Sequence, residues 1–289
     1  MLSSETMAAP QKKGVLYVVG TPIGNLEDLT VRALRILKEV DLIACEDTRQ
    51  TRKLLDHYGI EKPLVSYHEH NEPARAQELV DKLKAGMSVA QVSDAGMPGI
   101  ADPGYRVIKL AIENGAIVAP VPGPSALIAA LVGSGLATDA FEFHGFLPAK
   151  SGQRRTALEK LRGAEHTVVV YEAPHRIRET VEDLVEVLGP ARPLVIAREL
   201  TKMHEEFLRG SAAELLEKVR DRELKGEITL LIGKSETGDR PATGSPAVRQ
   251  RLEQIMAQEK LDEKAALKKV AKELGLSRSQ AYRELQRSK

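Results

Sequence analysis

"SVAQVSDAGMPGIADPGYRVIKLAIENG", residues 88–115, divides into three parts. Residues 88–92 form a short apolar run with β-branched Val89 and Val92, the composition of a buried strand. Residues 105–115 carry apolar positions at helical spacing and close on Gly115, a common helix stop. Between them, residues 93–104 hold three glycines, two prolines and two aspartates. Strand, Gly-rich loop and helix in that order make a βα unit of a parallel sheet. Open α/β sheets bind ligands outside the carboxyl ends of their strands. Glycine lets the backbone come close to a ligand there and proline stiffens the approach. An aspartate in such a loop can hold a ribose hydroxyl or an ammonium group.

The same alternation extends outward. Upstream, the strand-like runs 14–20, 41–46 and 63–67 alternate with helix-like segments 29–40, 48–59 and 74–86; downstream, "AIVAPV" (116–121) is a further strand. A mostly parallel sheet covered on both faces is expected over residues 14–135, ending after a buried helix within 126–137. Residues 136–234 read differently. "FEFHGFL", "HTVVVYEA", "PLVIARE", "EEFLRGS" and "GEITLLIGK" predict a mixed sheet with helices in a second α/β domain. A polar Gly/Pro/Ser/Thr-rich linker (235–246) leads to a small helical module at 247–289, and residues 1–13 read as a disordered extension.

Composition sets limits on this reading. Apolar residues make up 42% and charged residues 29%, a globular balance, and with no Trp the core must be aliphatic. The lone Cys45 excludes a disulfide framework and a Cys-based zinc site. No apolar run reaches the ~18 residues of a membrane helix, and residues 1–14 lack an apolar signal core, so a cytoplasmic protein is expected. The formal net charge of +1 is uneven: residues 246–289 carry +5 and the first 234 residues carry −3. A basic tail on a mildly acidic body suits a polyanionic partner, although a solvated charged surface fits as well.

Two more loops sit at predicted strand ends, "GTPIGN" (20–25) and "PVPGPSA" (120–126). Neither these nor 93–104 is a Walker A loop or a G-x-G-x-x-G fingerprint. Together with "GTPIGNLEDLTVRALRILKEVDLIACEDTR", "YEAPHR", "ELTKMHEEFLRG" and "GEITLLIG", they resemble the tetrapyrrole methylase superfamily, the class III S-adenosylmethionine-dependent methyltransferases. Within it the motifs are most similar to the ribosomal RNA small subunit methyltransferase I branch, and the resemblance covers about residues 14–234. It implies two α/β domains with S-adenosylmethionine bound in the cleft between them, no metal, and a homodimer. It implies 2′-O-methylation of a cytidine in the decoding region of small-subunit rRNA, on free rRNA or the assembled subunit. Carried over on the matching motifs, the cofactor neighbours are Asp94, Ala95, Gly96, Ile100, Ala101, Ser125 and Ala126.

Methyl transfer from a sulfonium to a ribose hydroxyl is an in-line displacement. It needs alignment, and a base or a cation near the developing alkoxide. "CEDTR" offers Glu46, Asp47 and Arg49, to orient a ribose and hold a phosphate; a helix N-cap at Asp47 or Thr48 with an ion pair reads equally from the same residues. "SYHEHN" offers His68 as a base or RNA contact; its His-x-His spacing lacks the further ligands a metal needs. "ELTK" offers Lys202 as a phosphate contact or a proton acceptor, or as a plain solvated lysine, and "YEAPHR" offers Arg176 as a phosphate contact. The sequence does not single out the base.

The tail "KAALKKVAKELGLSRSQAYRELQ" (264–286) has a helix-turn-helix pattern, with Ala265, Leu267, Val270 and Ala271 as an apolar stripe, Gly275 at the turn, and Arg278 and Arg283 accessible on the second helix for RNA. Helical hairpins with no nucleic-acid role share that pattern. Two other readings stay open: a tetrapyrrole or other small-molecule methyltransferase of the same fold, and a ligand-sensing DNA-binding regulator.

Overall fold

A computed structural model describes residues 14–235, 251–253, 255–256 and 262–273. The extension 1–13, most of the linker, Gly275, Arg278 and Arg283 lie outside the described residues.

The first half forms a five-stranded sheet of β1 (Val15–Val19), β2 (Leu42–Cys45), β3 (Leu64–Ser66), β4 (Val89–Gln91) and β5 (Ile117–Val121). The spatial order is β3-β2-β4-β1-β5 and every pairing is parallel. Helices α1 (Val31–Glu39), α2 (Thr48–His57), α3 (Glu72–Lys84) and α4 (Tyr105–Glu113) cross over between strands. Helices α1 and α2 start where side chains satisfy free amides: Thr30 accepts from Ala33 N at 3.1 Å and Asp47 from Arg49 N at 2.8 Å. Helices α2, α3 and α4 stop just before Gly59, Gly86 and Gly115, all at positive φ. Two apolar clusters, one built around Ile36, Leu37 and Ile43 and the other around Leu79, Val80 and Leu83, cover the two sheet faces. Because β4 inserts next to β1, the loops leaving β4, β1 and β5 emerge side by side.

The second half has the expected mixed sheet: β6 (Phe141–Phe146), β7 (Thr167–Glu172), β8 (Pro193–Arg198), β9 (Glu206–Ser211) and β10 (Ile228–Ile232), in the order β6-β7-β10-β8-β9. Only β6·β7 is parallel. Helices α6 (Ser151–Lys160), α7 (Ile177–Leu188) and α8 (Ala212–Arg220) cover one face. The other face is covered by α5 (Ala126–Ser134), the helix that the sequence groups with the first half. Its Leu127, Ala130 and Leu131 pack on Val169, Val195 and Leu231, and Ile23 and Ala95 of the first-half loops join the same cluster. This shared cluster joins the two sheets.

In the tail, Glu263–Glu273 is a helix capped by Asp262, whose carboxylate accepts from Ala265 N at 2.7 Å. Ala266, Leu267, Val270 and Ala271 pack with Leu252 and Ile255. Ala265 is exposed, which corrects the expected stripe: this close to the cap, Ala266 is the residue that lines up with Val270 one turn on. Among the described residues, no helix is long and apolar enough to cross a membrane.

Candidate active site

The three glycine-bearing loops interlock at the carboxyl end of the first sheet. Thr21 and Gly96 exchange backbone hydrogen bonds at 2.9 and 3.0 Å, and the Thr21 hydroxyl donates to Ser93 O at 3.0 Å. Gly20 and Gly123 meet backbone to backbone; a Cβ on Gly20 would lie 2.7 Å from the Gly123 Cα. Only glycine permits that approach. Ser125 caps α5, accepting from Ile128 N at 3.5 Å.

These loops form one side of a cavity of about 410 Å³. Asp94, Ala95, Gly96, Ile100, Ala101, Ser125 and Ala126 all line it, with Glu46, Met97 and Asp102. The second sheet supplies the other side: Tyr171 and Glu172 at the end of β7, Ala173 and Pro174 beyond it, Leu200, and Gly226–Thr229 leading into β10. Tyr171 is held by edge contact with Phe143, ring centroids 5.0 Å apart, and by Phe146 at 5.6 Å. The three described non-glycine residues at positive φ, Ala101, Glu199 and Thr201, line the cavity or flank Leu200 in its wall. Each left-handed residue costs about 1–2 kcal/mol, so the surrounding packing enforces the shape of this wall.

The wall is acidic. Burial raises the Glu46 carboxyl above its usual range, Asp94's charge adds to that, and His68 opposes it. Burial also raises Asp94, against the hydrogen bond it accepts from Asp47 N at 3.1 Å. Asp102 moves furthest: burial, then the charge of Glu46, pushes it to about 6. A carboxylate near neutral pKa in a cleft is suited to accepting a proton. The sequence reading passed over Asp102 although it lies in the quoted loop; burial beside Glu46 sets it apart from Asp94, and that is invisible in one dimension. Tyr171 and Glu227 were missed although they stand in "YEAPHR" and "GEITLLIG", because which residues of a mixed sheet line a cleft depends on the pairing of distant segments.

The other candidates stand around the cavity. Asp47 caps α2 and pairs with Arg49 at 2.7 Å, which lowers its carboxyl to about 2, while the Arg49 side chain is 87% exposed. His68 does not line the cavity. Its Nε2 lies 3.2 Å from Asn71 Nδ2, and its Nδ1 is buried without a hydrogen-bond partner. Lys202 reaches Glu199 at 2.8 Å and the cavity residue Glu227 at 2.9 Å. Burial works against its charge, but these two bonds outweigh it and keep the ammonium protonated. Lys202 therefore stays charged and is committed to these two carboxylates. Arg176 turns inward: its guanidinium binds buried Glu172 at 2.6 Å, and Thr180 donates to the same carboxylate at 2.7 Å. Among the described residues, no group of three or more His, Cys, Asp or Glu is placed to hold a metal ion.

The donor set suits S-adenosylmethionine. Carboxylates match a ribose diol and an α-ammonium, Ile23, Met97, Ile100 and Leu200 offer apolar contact for a base, and the volume lies in the range of cofactor sites.

Residues 15–216 match the family of tetrapyrrole (corrin/porphyrin) methylases. The ribosomal RNA small subunit methyltransferase I of a Synechocystis species is 48% identical over 269 residues, 93% of this chain and 96% of that protein. The protein of the same name from Halalkalibacterium halodurans is 50% identical over 232 residues, 80% of each. Among solved structures, a diphthine synthase aligns with TM-score 0.62 at 16% identity, covering 77% of this chain and 91% of that one. The uroporphyrin-III C-methyltransferase of Thermus thermophilus, complexed with S-adenosyl homocysteine, aligns with TM-score 0.54 at 22% identity, covering 76% and 97%. At these identities the structural likeness shows the fold alone. The chain belongs to the tetrapyrrole (corrin/porphyrin) methylase family, in the group of the ribosomal RNA small subunit methyltransferases I.

Proposed function

We propose that this protein transfers a methyl group from S-adenosylmethionine to the 2′-hydroxyl of a cytidine in the decoding region of small-subunit rRNA. The observation that carries the reading is the convergence of the "SDAGMPGIADPG" and "PGPSA" loops on one acidic cavity, in a chain 48% identical over 269 residues to a ribosomal RNA small subunit methyltransferase I. When bound, S-adenosylmethionine supplies an electrophilic methyl group on a sulfonium. Asp94 with Ala95, Gly96, Ile100 and Ala101 would hold its amino-acid and ribose end, and Ser125 with Ala126 would close the pocket from the start of α5. A ribose 2′-hydroxyl brought into the cavity would be the group that accepts the methyl. Asp102, with Glu46 beside it, takes the hydroxyl proton; at neutral pH a carboxyl titrating at about 6 is mostly ionised and ready to do so. Lys202, bonded to the cavity residue Glu227, is a cation beside the site on this reading, and Arg49, paired with Asp47, is exposed for a phosphate.

The same proposal includes a cytoplasmic homodimer and the division at residues 135/136. Ile128 and Val132, one turn apart on α5, remain 46% and 71% exposed and support a second copy there. The solved small-molecule methyltransferases share the fold at 22% identity or less, which gives their substrates no support here. The regulator reading rests on the helix-turn-helix pattern of the sequence, whose Arg278 and Arg283 lie outside the described residues.

The test is to incubate the protein with labelled S-adenosylmethionine and small subunits from cells lacking this gene. Label in one alkali-resistant cytidine linkage is expected. Unlabelled subunits, with cofactor still bound by the protein, would overturn the reading.

A further inference from the structure

A second cavity, about 660 Å³, opens beside the first. Its walls are the turn leading into α7 with that helix's first residues, and the segment Arg220–Gly226 that joins α8 to β10. Pro174 and Gly226 line both cavities, so the two adjoin across a shared rim.

The chemistry changes sign across that rim. The cofactor cavity presents Glu46, Asp94, Asp102, Glu172 and Glu227. The second presents His175, Arg178, Arg220, Arg222 and Lys225, against Asp221 and Glu223. Arg178 pairs with Glu182 at 3.0 Å, Arg222 with Glu206 at 3.0 Å, and Arg220 with Glu217. The Arg178 and Arg220 side chains are 58% and 50% exposed, and such surface pairs are weak enough for a phosphate to displace, whereas Arg222 is held by two bonds to Glu206, which Arg198 also binds. Lys225 forms no ion pair among the described residues. The N-cap residue of α7, Arg176, gives no side-chain cap, so the positive end of a twelve-residue helix adds its unbonded amides to the same groove.

We infer that this groove binds the phosphodiester backbone next to the target nucleotide and so delivers its ribose across the Pro174–Gly226 rim. A polyanionic strand is repelled by the acidic cavity and attracted by the groove, so the neutral nucleoside is the part that crosses. The inference rests on the RNA reading above. It also moves the phosphate contact expected at Arg176: that guanidinium is committed to Glu172, and His175 of "YEAPHR" and Arg178, two residues beyond the motif, line the groove.

The test uses the full chain and small subunits lacking the modification. Arg178→Glu with Lys225→Glu is expected to raise KM for subunits about tenfold at moderate salt and to lower the slope of log KM against log salt by about 2, one for each lost phosphate contact. Affinity for S-adenosyl homocysteine should not change, which also reports that the variant is folded. Glu223→Lys, which adds charge without removing a bond, should lower KM. Wild-type KM and salt slope in both variants would overturn the groove while leaving the methyltransferase reading intact. Failure of the wild type to label subunits would overturn that reading, and the groove with it.

Discussion

The first sheet reaches the cavity with its loops, the second with strand ends and a connecting turn. All-parallel pairing sends every β-to-α connection to one end, so β1, β4 and β5 place three glycine-bearing loops side by side. The second sheet is antiparallel apart from β6·β7, and it contributes Tyr171, Glu172 and Thr229 from the ends of adjacent strands. The first half thus brings close-packed loops with the carboxylates of Glu46, Asp94 and Asp102, and the second brings Tyr171, Glu227 and Thr229 from strand ends and the turn before β10. Binding should therefore respond to loop changes, and shape to changes in packing on the second sheet.

The largest break in that contrast is Asp102→Asn. If Asp102 takes the proton, kcat should fall by about 10²–10⁴-fold with little change in cofactor affinity. The wild-type kcat should decline as pH drops through about 6, and the variant should lose that limb. Stability should move the other way. A carboxyl whose folded pKa is raised favours folding below its unfolded pKa, and that contribution is lost as pH rises through about 6. Asp102→Asn should therefore melt higher than wild type at pH 8 and not at pH 3.5. A variant with full kcat would remove Asp102 from the mechanism.

Leu230 and Leu231 sharpen the comparison, because they are both fully buried on opposite faces of β10. Truncating either to Ala should cost about 2–5 kcal/mol in denaturant unfolding. Only Leu231→Ala touches the cluster shared with Ile23 and Ala95, so only it should weaken cofactor binding as well. Equal cofactor affinity in the two variants would mean that the joint between the sheets does not shape the site.

How much of this was legible in the sequence follows the same division. The parallel half was readable because each βα unit is local: an apolar run, a Gly-rich loop, an amphipathic helix. The loops' convergence then follows from strand order alone. The second half's strands were equally plain, but which of their residues meet the cleft depends on register between distant segments. Lys202 is an example: its partner Glu227 lies on a different segment, and no spacing rule connects them. Arg176 was the opposite case. Glu172 stands four residues before it at the end of an apolar strand, a position where a buried carboxylate needs a partner, and the sequence reading sent the guanidinium outward. The allegiance of α5 was not legible either, since a helix that is apolar on most sides packs on whichever sheet is nearer.

Gly226 and Gly59 separate strain from contact. Both have positive φ, at 87° and 62°, but a Cβ on Gly59 meets nothing within 4 Å, whereas one on Gly226 would lie 2.1 Å from Glu199 Oε1. Gly59→Ala should cost about 1–2 kcal/mol from backbone strain alone. Gly226→Ala should cost more and push Glu199 off Lys202, so its excess over Gly59→Ala measures the rim at the junction of the two cavities. Equal losses in thermal melts would show that Glu199 moves aside freely.

The smallest effect tests the half that holds no cofactor loop. Ser211 caps α8 in a reciprocal box: its hydroxyl accepts from Glu214 N at 3.3 Å, and its own amide donates to Glu214 Oε2 at 2.8 Å. The box sits at the end of edge strand β9, and neither residue lines the cofactor cavity. Ser211→Ala should cost about 1 kcal/mol, seen as a small drop in melting temperature, and leave kcat and cofactor affinity unchanged. A kinetic change would mean that strain at this edge reaches the cavity through β8 and β10, and that the second sheet is less rigid than its buried strands imply.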